Sequence, residues 1–119
     1  IRLEENTWHR TIQTYTVTPD TVIEFTFQST SQGEVHGIGF DADESPAPGD
    51  WQFQLYGTQA TPHITDFQYA GPGPEAFQIP FGQYYSGANM YLVLINDLDA
   101  GSGSNSTFTN IRIYEASTP

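Results

Sequence analysis

The chain has 119 residues, with eight Phe, seven Tyr and two Trp, which suits one domain with a single packed core and rules out a disordered chain. Fourteen Asp and Glu against three Arg and no Lys give a net charge of −11, which repels nucleic acid and anionic membranes and leaves no expectation of either partner. Cysteine is absent, excluding disulfides, thiolate zinc, iron–sulfur clusters and cysteine nucleophiles, and no apolar run is long enough for a membrane span.

In chain order, the first strand signal is a weak one over Thr11 to Val17, closed by the turn Thr18-Pro19-Asp20. Ile23, Phe25 and Phe27 then alternate with Glu24, Thr26 and Gln28, the period of a half-buried strand over 22–28. After Ser31-Gln32-Gly33, a strand is expected at Val35 to Phe40, with Val35, Gly37, Gly39 and Asp41 on one face and His36, Ile38 and Phe40 on the other. A proline-rich turn at 45–50 leads to the alternating segment Trp51 to Tyr56, followed by weaker signals at Ile64 to Phe67 and Ala76 to Ile79. The stretch Met90 to Ile95 is continuously apolar, as expected of a central strand covered on both sides. A glycine-rich turn at 100–104 precedes the last strand, Thr109 to Tyr114. Eight or more short strands at this spacing, with no helical periodicity, predict an all-β fold, a β-sandwich of antiparallel strands and specifically a jelly roll.

Two segments offer oxygen atoms to a hard cation. Asp41, Asp43 and Glu44 crowd the end of the strand at 35–40, and Asp97 and Asp99 follow the apolar strand into the loop Ala100-Gly101-Ser102-Gly103. Ca²⁺ takes six to eight oxygens from carboxylates, carbonyls and water, which strand ends opening into loops can present together. The alternatives are an ordinary solvated loop and a flexible hairpin connection, respectively. Counting from Asp97 gives neither an EF-hand nor a nonapeptide repeat. The acidity itself reads either as a metal-ligand supply or as an adaptation to salty surroundings, and the two are compatible.

Gly37 and Gly39 leave a cleared shelf on one strand face, open to a sugar ring or to a neighbouring aromatic. His36, on the same strand face as Ile38 and Phe40, reads as a satisfied interior histidine rather than a ligand. Trp8, Tyr56, Tyr69, Tyr84 and Tyr85 lie beside turns or outside the inward alternation, where flat rings can cover the C–H face of a pyranose. No nucleophile elbow, zinc-protease motif or phosphate-binding glycine loop is present, and His9, His36 and His63 share no metal-like spacing. Carboxylate pairs do exist, so a small glycoside hydrolase or polysaccharide lyase using Asp41, Asp43, Asp97 or Asp99 is one alternative. A calcium-stabilised structural or adhesion domain is another.

The segments Tyr15 to Phe25, Gly33 to Asp41, Asn96-Asp97-Leu98-Asp99 and Phe108 to Glu115 resemble accessory modules of bacterial polysaccharide-degrading proteins. The general style is that of the calcium-dependent xylan-binding modules, carbohydrate-binding module families 36 and 60. The resemblance implies non-catalytic binding of a xylan-like or other neutral plant or algal polysaccharide, through a Ca²⁺ that coordinates sugar hydroxyls directly. It gives Asp97 and Asp99 that role, with Asp41 and Asp43 either in the same site or in a second, structural one. Trp8, Tyr84 and Tyr85 are the candidates for the aromatic beside the metal. It further implies a secreted, extracellular protein in which residues 1–119 form one module of a larger enzyme, covalently linked to a catalytic domain. The charge favours a monomer.

Overall fold

The computed structural model describes residues 1–41, 52–59, 64–98 and 103–116. Among them run eight strands: β1 (Arg2–Glu4), β2 (Thr7–Val17), β3 (Thr21–Gln28), β4 (Val35–Asp41), β5 (Gln52–Tyr56), β6 (Glu75–Ile79), β7 (Gly87–Asp97) and β8 (Asn105–Glu115). One turn of 3₁₀ helix at Phe81–Gln83 stands between β6 and β7. The strands form two antiparallel sheets, ordered β1-β8-β3-β6 (sheet I) and β2-β7-β4-β5 (sheet II). This strand order is that of a jelly-roll sandwich, as the strand spacing predicts.

Alternation places the core. Ile23, Phe25 and Phe27 of β3 point into the sandwich with Phe77, Ile79 and Phe108, and meet Ile38, Phe40, Phe53, Leu92 and Leu94 from sheet II. Phe27 sits edge-on to Phe108 at 5.1 Å and to Tyr69 at 5.0 Å, the offset geometry that aromatic quadrupoles favour. Phe81 of the 3₁₀ turn plugs one end of the core against Phe40 and Phe53.

β7 is covered on both faces, as its unbroken apolar run requires. Leu92 and Leu94 face the main core, while Val93 and Ile95 build a second, smaller cluster with Val35 and the half-buried Trp8 on the outer face of sheet II. The shelf of Gly37 and Gly39 lies on this outer face and is buried. A side chain at Gly37 would stand 2.7 Å from the Phe53 carbonyl oxygen, so backbone approach of β5 explains that glycine.

Several features depart from expectation, among them the starts of β7 and β8, at Gly87 and Asn105 rather than Met90 and Thr109. Ile64 to Phe67 forms no strand: Ile64 makes one isolated parallel bridge to Phe53, exchanging bonds with Gln52 and Gln54 beside the β5 edge. β1 is an unforeseen three-residue strand on the edge of sheet I, and only Leu3 in it is buried. β2 starts at Thr7 rather than Thr11 and contains a wide bulge, where four steps from Arg10 to Thr14 match two steps from Val93 to Tyr91 on β7. The Thr11 hydroxyl accepts the Leu92 N–H there, replacing a ladder carbonyl, and Ile12 is expelled to solvent with 95% of its surface exposed.

Candidate functional site

Strand register decides which acidic residues can act together. Asp97 pairs with Val35 at one end of the β4·β7 ladder, and Asp41 pairs with Tyr91 at the other. Six residues of extended chain separate the two, about 20 Å. The option of one calcium site shared by the two acidic segments is therefore corrected: Asp41 and Asp97 belong to opposite ends of the sandwich. Asp43 and Asp99 lie outside the described residues, as does Glu44. The aromatic candidates divide the same way, Trp8 standing near the Asp97 end and Tyr84 and Tyr85 beyond the far end of the core.

At the far end Tyr84 is 39% exposed, its ring edge braced on Phe53 at 4.9 Å and its hydroxyl donating to Asp66 Oδ2 at 2.9 Å. Desolvation first, then the hydrogen bond to Asp66 and its negative charge, hold this phenol above its ordinary pKa. Tyr85 is half-buried and packs on the core.

The other end is more elaborate. Trp8 of β2 lies opposite Ile95 of β7, and Asp97 follows two residues later on the same outer face. That diagonal step puts neighbouring β carbons about 7–8 Å apart, within reach of an indole. One carboxylate oxygen of Asp97, Oδ1, is shielded from solvent, and the Asp97 carbonyl accepts the Glu34 N–H at 2.9 Å.

Beneath this face a buried polar chain ties the two sheets together. The Gly33 N–H donates to His36 Nε2 at 2.7 Å, so the imidazole proton resides on Nδ1, 2.7 Å from Ser106 Oγ. Ser106 in turn donates to Asn96 Oδ1 at 2.7 Å. The Asn96 amide donates to the Glu5 carbonyl at 2.6 Å and to Ser104 Oγ at 2.9 Å. Burial is the main reason the His36 pKa falls from 6.5 to about 4, against a smaller opposing effect of Asn96. The imidazole is neutral at physiological pH and does no acid–base work there. Asn96, clamped on three sides, anchors the strand end just before Asp97 to the β1–β2 turn and the start of β8.

That turn carries Glu5 in a left-handed conformation, φ 59°, with its N–H on the Ser104 carbonyl and its carboxylate accepting the Gly103 N–H at 2.9 Å. Gly33 is held close: a β carbon there would lie 2.8 Å from that of Ser104 and 3.2 Å from the Asp97 carbonyl oxygen. The sequence marks Asn96, Asp97 and the glycine-rich loop, but gives no sign that Ser104, Ser106 and Glu5 converge on Asn96, because those contacts arise only when β8 returns across the sandwich.

Among the described residues no three Asp, Glu, His or Cys side chains gather as a metal-holding group. Of the expected calcium ligands, this end shows Asp97 alone among the described residues. Asp99 and the carbonyls of 99–102, which the same ion would require, lie outside the described residues. No family model, no curated protein and no solved structure matches the chain.

Proposed function

We propose that this chain is a non-catalytic module that binds a neutral polysaccharide with the help of Ca²⁺, and that it directs an attached catalytic domain to that polymer in the extracellular space. The observation that carries this reading is the register that sets an indole and a carboxylate, Trp8 and Asp97, one diagonal step apart at the end of the β2·β7 ladder. Calcium held by Asp97 and Asp99 would accept adjacent sugar hydroxyls in place of water, and the Trp8 ring would cover the apolar side of the pyranose. The buried clamp on Asn96 supports the reading too, because it fixes the strand end on which the ligand oxygens depend. The −11 charge favours a neutral glycan over an anionic one.

The hydrolase alternative is weakened at one point. Glycosidase carboxylates work about 5–9.5 Å apart, and Asp41 and Asp97 stand at opposite ends of a seven-residue pairing.

Affinity electrophoresis through gels cast with neutral xylan, β-glucan or galactomannan, in calcium and in EDTA, tests the proposal. Calcium strengthens retardation on at least one gel, and EDTA or Asp97→Ala weakens it about tenfold. Equal retardation in both buffers would confine the ion to a structural role, and free migration through every gel would refute the reading.

A further inference from the structure

The outer face of sheet I carries a second constellation that the Asp97 end does not use. Arg112 of β8, Glu24 of β3 and Gln78 of β6 lie in one row across three strands. Their side chains, with Tyr114, interlock. Gln78 Nε2 donates to Glu24 Oε2 at 3.1 Å and to the Tyr114 hydroxyl at 2.6 Å, and that hydroxyl donates to Glu24 Oε2 at 2.8 Å. The Arg112 guanidinium lies over the Tyr114 ring, 4.4 Å from its centre.

Beside this row the surface drops. The next residues on the same face are Thr26 and Ala76, directly paired, and the small alanine leaves a concavity of about 290 Å³ between Glu24, Thr26, Gln78 and Asn110. Asn110 borders it from a bulge in β8, where two steps of β3 oppose three of β8, and its φ of 53° is a left-handed conformation that costs energy in a non-glycine residue.

We propose that this concavity is a calcium-independent subsite for one or two neutral sugar rings; this deepens the reading of the chain as a glycan-binding module and rests on it. The chemistry on offer is that of hydroxyl recognition. Glu24 Oε1 meets Arg112 only at 3.7 Å, beyond hydrogen-bond distance, and keeps its accepting capacity. The Gln78 amide nitrogen is occupied by Glu24 and Tyr114, which turns its carbonyl oxygen into a defined acceptor. Thr26 and the exposed Asn110 amide add donors, and Ala76 gives a flat apolar floor for ring C–H groups. Because Glu24 is held from two sides, little side-chain freedom is lost on binding. An anionic ring would meet the Glu24 carboxylate and the negative charge of the whole molecule, so neutral rings are selected.

Titration of ¹⁵N-labelled protein with xylohexaose and cellohexaose, in calcium and in EDTA, separates the two sites. The side-chain amide signals of Gln78 and Asn110 shift in both buffers. Ala76→Trp, which fills the concavity from an exposed position, and Gln78→Ala each reduce the EDTA-resistant affinity about tenfold, while Asp97→Ala leaves it unchanged. Unmoved Gln78 and Asn110 amides, or EDTA-resistant affinity that survives in both variants, would overturn the sheet-face subsite. If calcium-dependent binding persisted alongside that result, the Asp97 end would stand on its own; silence of both hexaoses in both buffers would remove both sites.

Discussion

His36 receives the Gly33 N–H on one ring nitrogen and gives a proton to Ser106 from the other, so a second proton would set two N–H groups against each other. The unfolded chain protonates this imidazole near pH 6.5, whereas the folded chain holds it neutral down to about pH 4. The contribution is therefore complete above pH 6.5 and is lost as pH falls from 6.5 towards 4, by up to roughly 3 kcal/mol. Urea unfolding across that range reads the slope, and His36→Gln removes it; equal slopes in the two proteins would show that His36 is not its source. Asn96 has a different role in the same chain, since truncation strands two serine hydroxyls and the Glu5 carbonyl at once. Asn96→Ala is expected to cost about 2–4 kcal/mol, measured as a fall in urea midpoint at constant m.

The interior status of His36 is legible from the strand face it shares with Ile38 and Phe40. Its partners are not, because Ser106 is 70 residues away in sequence.

A strand with strict alternation, such as β3, is read from sequence almost to its ends, because burial on one face leaves little choice of residue, whereas the apolar run of β7 marks only its middle, Met90 to Ile95, and the strand extends to Gly87 and Asp97. β1 escapes such a reading, since a three-residue edge strand with one buried side chain has no period to detect. The Ile64 to Phe67 segment misleads in the opposite direction: Ile64 and Phe67 do pack on the core, but from a loop rather than a ladder. The β2 bulge predicts an unusual tolerance at element scale. Ile12→Asp changes stability by less than about 0.5 kcal/mol, because the side chain contributes almost no buried area. Phe27→Ala, from a fully buried position in β3, costs about 3–5 kcal/mol. Thermal or urea melts of the two variants give the contrast directly, and similar losses would mean that Ile12 is covered in solution.

Across the whole molecule, mutual repulsion among fourteen carboxylates opposes compaction, with few ion pairs to offset it among the described residues: Arg2 with Glu4 and Arg112 with Glu24. Raising sodium chloride towards molar concentration screens that repulsion and raises the melting temperature, whereas a neutral solute at equal osmolality gives a smaller rise. A melting temperature insensitive to salt would mean that the charges are spaced too widely to matter.

The two sheets present their outer surfaces in opposite directions, back to back across a layer about 10 Å thick. A straight polymer strand lying along one surface runs away from the other and cannot reach it without bending round an edge. Simultaneous occupancy of both surfaces would thus recruit two separate strands, and so small a protein would behave as a rivet between neighbouring fibrils rather than as a clasp around one.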